Sequence, residues 1–127
     1  MSEDVAGFVV PLCATIHLSG SMLKITSCAI ALMLMQNIGV DFWQMLGFIL
    51  MLGVTMVAAP GVSGGAIMAA LGVLGSILGF DASQQAMMIT LYIAMDSFGT
   101  ACNVTGDGAI AVIIDHIPGE KKHKRDE

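Results

Sequence analysis

Between Val5 and Ile114 the chain carries only five charged side chains: Lys24, Asp41, Asp81, Asp96 and Asp107. This near-absence of charge limits the possible folds more than any other feature. A soluble domain needs a polar surface. A chain that is 56% hydrophobic, 12% charged and +0.84 in mean hydropathy does not supply one. Long apolar runs in lipid must satisfy their backbone polar groups internally, so the expected class is an all-α membrane protein. Four of the five basic residues fall in the terminal run "EKKHKRDE". The positive-inside rule puts such a tail in the cytoplasm. The expected location is the cell membrane, multi-pass, with both termini cytoplasmic and the lipid bilayer as a partner. The net charge of -5 is dispersed and gives no nucleic-acid surface.

The apolar runs divide the chain. Residues 5–37 form one long stretch, interrupted at "HLSGS", His17 to Ser21. "NIGVD" then reads as a turn, with Asp41 placed to cap the next helix. The run from Phe42 to Ala59 stops at "APGVSGG", where a proline and three glycines make a continuous helix unfavourable. A second run, Ala66 to Leu78, ends at "GFDAS", where Asp81 or Ser83 can cap the following helix. That run is short for a full crossing at about 1.5 Å per residue. Residues 41–79 are therefore expected to form a re-entrant helical hairpin, and 83–117 a second long helical element stopped by Pro118-Gly119. The expected order is broken helix, hairpin, broken helix over 1–117, with a charged tail at 118–127. Broken segments of this kind are the best sequence pointer to a transporter's binding site.

The last apolar element carries a polar stripe. Asp96, Thr100, Asn103 and Asp107 recur at helical spacing and share one face. Each aspartate at mid-bilayer costs roughly 2.5 to 3.5 kcal/mol on insertion scales, so two on one face imply compensation by cations. A bound metal ion, a proton relay or a substrate ammonium would each provide it. The structural alternative is a buried polar network that joins helices. Hard oxygen donors suit Na⁺ or protons better than zinc. Cys13, Cys28 and Cys102 form no metal or disulfide spacing. "NVT" at Asn103 matches a glycosylation sequon but lies inside a span, and the glycine runs lack the lysine of a phosphate loop. A hydrolytic triad on His17, Ser19 and Asp96 has no supporting spacing, so no enzyme activity or organic cofactor is expected.

Three motifs in order carry a resemblance. "PLCATIHLSGSML" from Pro11, "APGVSGGAIM" from Ala59 and "NVTGD" from Asn103 resemble the seventh helix, second re-entrant hairpin and eighth helix of the dicarboxylate/amino acid:cation symporters. The resemblance covers the C-terminal third of such carriers. It implies secondary transport of an amino acid or dicarboxylate coupled to Na⁺ or H⁺. For a full-length carrier it implies upstream helices and a homotrimer. It assigns Asp96 to the substrate's amino group and Asn103 to its main carboxylate, with Thr100, Ser21, Gly64 and Gly65 beside it. It assigns Asp107 to a sodium site, with backbone carbonyls near Cys13, His17 and Asn103, and a second sodium near Thr15 and the hairpin tip.

The departures from the family carry information too. Acidic-substrate members have Arg where this chain has Gly99, so the resemblance implies a neutral amino acid and an acid preference on installing Arg there. His17 and Ser19 replace an Asn and an Asp, compatible with fewer sodium ions or a proton on His17. The alternative function is a non-transporting structural or assembly subunit packed in the membrane.

Overall fold

Caps and breaks divide this apolar chain into its elements. In the computed structural model, which describes residues 1–117, six helices follow one another: α1 Glu3–Ile16, α2 Ser19–Met35, α3 Phe42–Val57, α4 Gly65–Leu78, α5 Ala82–Ala94 and α6 Asp96–His116. There is no strand among the described residues. The expected cytoplasmic tail, 118–127, lies outside them.

The capping expectations can be checked directly. Asp41 accepts a hydrogen bond from Gln44 N at 2.8 Å and starts α3. Asp81 and Gln84 form a reciprocal capping box that starts α5, with both bonds at 2.8 Å. The long first stretch loses helical geometry at His17 and Leu18 and regains it at Ser19. The long last stretch is interrupted at Met95, with φ −107° and ψ 19°, directly before Asp96.

Two stretches, Glu3–Met35 and Asp96–His116, are long and apolar enough to cross a membrane. At about 1.5 Å per residue, α3 and α4 reach only about 24 and 21 Å, against a hydrocarbon core of about 30 Å. They pack on each other, and Gln44 Nε2 ties the base of the pair to Ile77 O at 2.8 Å. Their apolar faces meet α2 and α5 around Ile25, Phe48, Leu52, Ile67, Leu74 and Met88, all fully buried.

The α1–α2 stretch and α6 run antiparallel, and their contacts form a ladder. Ser2 N meets Asp115 Oδ1 at 2.9 Å, and Val9 and Cys13 pack on Ala111. His17 meets Asp107, Gly20 meets Asn103, and Lys24 meets Asp96. Residue numbers rise on one partner as they fall on the other. The two ends of the described chain therefore lie at the same end of this pair.

Gly20 sets how closely the two elements approach. A Cβ there would sit 2.5 Å from Gly99 O and 2.7 Å from Cys102 Cβ, both in α6. Small residues at such crossings let backbones come together. Gly20→Ala is expected to destabilise the fold by about 1–3 kcal/mol through overpacking. Chemical unfolding of the detergent-solubilised chain measures this, and an unchanged midpoint would refute it.

Candidate functional site

The α2–α6 seam is where buried polarity collects. Among the described residues three polar or charged side chains are buried, Ser21, Lys24 and Asp107, and all three point into contacts across it. The helix breaks explain how. At His17–Leu18 the chain stops being helical, which frees Gly20 N to donate to Asn103 Oδ1 at 2.7 Å rather than to its own helix. The other end of the amide, Asn103 Nδ2, donates to Ser21 Oγ at 3.2 Å, and Tyr92 OH donates to the same hydroxyl at 3.2 Å. A primary amide has two N–H groups, so Asn103 retains a second donor. No buried side-chain nitrogen or oxygen among the described residues is left without a partner.

Beside this network lies a cavity of about 490 Å³. Asp96, Thr100, Asn103 and Asp107, the stripe read from the sequence, all line it. Thr15 and Ser21 face it from the α1–α2 break, Tyr92 from α5, and residues 58–64 from the α3–α4 turn. Gly64 holds the left-handed conformation there, at φ +76°, which favours glycine. Gly65 stands behind the turn, where a Cβ would meet Pro60 O at 2.1 Å.

Cys13 and His17, also expected at the site, lie outside the lining. Cys13 is buried against Val9 and Ala111. His17 approaches Asp107 from the far side, with its Nδ1 2.8 Å from Asp107 Oδ1. The ring therefore occupies one oxygen of the carboxylate that the sequence resemblance assigns to sodium. Thr15 Oγ1 donates to Leu12 O at 2.8 Å within its own helix. Among the described residues no cluster of three His, Cys, Asp or Glu side chains forms a metal cage. A small hard cation here would depend on one carboxylate and neutral oxygens.

Lys24 and Tyr92 had no role in the sequence reading. Lys24 Nζ lies 3.5 Å from Asp96 Oδ1, 3.2 Å from Tyr92 O, 3.4 Å from Met95 O and 3.4 Å from the centroid of the Tyr92 ring. It also stands 3.0 Å from where a Cβ at Gly99 would be. An Arg at position 99 would thus have to displace a resident cation, which changes the expectation for that substitution. The signal was in the sequence: Lys24 is the one basic residue between Val5 and Ile114.

A family comparison coincides with this geometry. The model of the sodium:dicarboxylate symporter family matches residues 1–117. The chain belongs to that family. It is 28% identical to the serine/threonine transporter SstT of Acinetobacter baylyi over 91% of its own length and 30% of that protein's. It is 30% identical to excitatory amino acid transporter 5 of Homo sapiens over 92% of the chain and 21% of that protein. Against the proton/sodium-glutamate symport protein of Bacillus subtilis it is 30% identical over 88% of the chain and 26% of that protein. The chain thus spans between 21% and 30% of the length of these relatives. No solved structure matches it significantly.

Asn103→Ala removes both the acceptor for Gly20 N and the donor to Ser21. A buried N–H left unpaired costs about 1–3 kcal/mol. The variant is expected to unfold at correspondingly lower denaturant, and parent-like unfolding would show that water replaces the amide at no cost.

Proposed function

We propose that this chain forms the substrate- and ion-binding part of a secondary active carrier for a neutral amino acid, coupled to Na⁺ or H⁺. The observation that carries the reading is the cavity lining. Two carboxylates, an amide and several hydroxyls converge there beneath a Gly/Pro turn, and no Lys or Arg is among the lining residues. A zwitterion suits such a surface. Its ammonium would meet Asp96, and its carboxylate the free N–H of Asn103, with Thr100 and Ser21 beside it. A second, side-chain carboxylate would find no cation on the lining and would face Asp107 as a like charge. The relatives' names include serine and threonine as well as glutamate and C4-dicarboxylates. Family membership therefore leaves the substrate open, and the neutral class rests on the lining.

In this reading residues 1–117 are transport core, with broken helices at 5–37 and 83–117 around a re-entrant hairpin at 41–79. The shortness of α3 and α4 supports re-entrance. Their turn, residues 58–64, is the gate over the cavity. Asp107 takes the coupling cation with backbone oxygens of the His17 break and of Asn103. Segments that the relatives carry beyond the matched part would complete the pocket, in a trimer for the whole carrier.

The gate is tested with Val62→Cys in a background lacking Cys102. Val62 is exposed in the turn. A polar thiol reagent should label it without ligand, and L-serine with Na⁺ should protect it. Labelling that ignores both ligands would favour the structural-subunit reading.

Asp107 is tested by linkage. Two ligands that help each other bind do so by the same factor in both directions. In the parent, Na⁺ or acidification should tighten L-serine binding; in Asp107→Asn that tightening should vanish while membrane insertion persists. Calorimetric titration at several Na⁺ and proton concentrations measures it. A variant that keeps the full ion dependence would remove Asp107 from the ion site.

A further inference from the structure

The α5–α6 break raises a question that the transport reading does not answer. Asp96 must face the cavity to receive an ammonium, yet it sits at an interruption between two apolar helices. The last carbonyls of a helix have no partner within it and carry partial negative charge. At this break Tyr92 O of α5 and Met95 O of the junction, which also accepts from Gly99 N at 3.4 Å, lie next to a carboxylate. Three acceptors in one spot would repel one another.

Lys24 reaches across from α2 and resolves this. An ammonium has three N–H donors. The structure offers it three oxygens, Tyr92 O at 3.2 Å, Met95 O at 3.4 Å and Asp96 Oδ1 at 3.5 Å, and the face of the Tyr92 ring at 3.4 Å. The Lys24 side chain is 6% exposed while that of Asp96 is 37% exposed. Asp96 lines the cavity and Lys24 does not. Because a Cβ at position 99 would stand 3.0 Å from Nζ, Gly99 leaves the space that the ammonium fills.

We propose that Lys24 is a built-in cation that closes the α5–α6 break and holds the Asp96 side chain aimed at the cavity. With its three donors matched to three acceptors, it is a positioning residue and not a substrate ligand. It takes the place that a monovalent cation from solution would otherwise occupy among these oxygens. The pocket then keeps a carboxylate available to an ammonium without offering a cation to an acidic side chain. This inference rests on the transport reading for its substrate consequence only; the closure of the break stands apart from it.

The test is chemical rescue on the full 127-residue chain in detergent. Lys24→Ala removes a propylammonium's worth of atoms. It should lower the unfolding temperature and weaken L-serine binding by about tenfold or more, the scale expected when one partner of a buried charge pair is lost. Propylammonium should restore both in a saturable way, and propan-1-ol, of similar size but uncharged, should restore neither. Lys24→Met keeps most of the stem's volume without the charge, so it should show the binding loss and no rescue. If Lys24→Ala does not fold, Lys24→Met decides alone, on its unfolding temperature and its serine affinity. Wild-type unfolding temperature in both variants, or equal rescue by the amine and the alcohol, would overturn the proposal. The unfolding arm needs no substrate. A parent chain that binds no amino acid would therefore sink the transport reading while Lys24 is still tested.

Discussion

An ion moved out of water is stable only if its partners move with it, and α6 buries or half-buries two aspartates on one face. The α1–α2 stretch answers each of them in turn. Lys24 stands against Asp96 and His17 against Asp107, with Asn103 between them bonded to Gly20 N and Ser21. Leaving either carboxylate alone in a low-dielectric surrounding would cost several kcal/mol. The antiparallel register of the two elements is therefore as much an electrostatic requirement as a packing one. A shift by one residue on either helix would turn these partners onto different faces.

The helix breaks are what make that pairing possible. A continuous α-helix uses its own N–H and C=O groups and offers none to a neighbour. Interrupting the first element at His17–Leu18 and the last at Met95 releases Gly20 N as a donor and Tyr92 O as an acceptor. Each released group is used at once, which is why no buried side-chain atom is orphaned among the described residues. The breaks also put positive and negative helix ends next to the polar stripe, where charge is otherwise hardest to hold.

The α3–α4 pair plays a different part. Its apolar faces complete the core with α2 and α5, which leaves its turn to cover the cavity. The helices and the glycine-bearing turn do different things along one segment: the helices pack into the core, and residues 58–64 line the cavity. A turn that both lines a cavity and joins two short helices can change conformation without unfolding the core behind it.

Periodicity and composition determined the class, the caps and the stripe. Local rules suffice for those: alternation of charge and apolarity gives the helices, Asp41 and Asp81 bond to their own neighbours, and helical spacing alone puts Asp96, Thr100, Asn103 and Asp107 on one face. The family was legible for the same reason, because its motifs are short and contiguous. What the sequence could not tell was who answers each charge. Lys24 lies 72 positions from Asp96, and His17 lies 90 from Asp107. No local rule links such residues; the pairing exists only once two antiparallel helices are in register. The exact point of the second break escaped for a related reason. Nothing in "YIAMDSF" forbids helix, and Met95 departs from it where Lys24, arriving from α2, meets Tyr92 O and Met95 O. That contact joins residues 68 to 72 positions apart, and only the tertiary structure contains it.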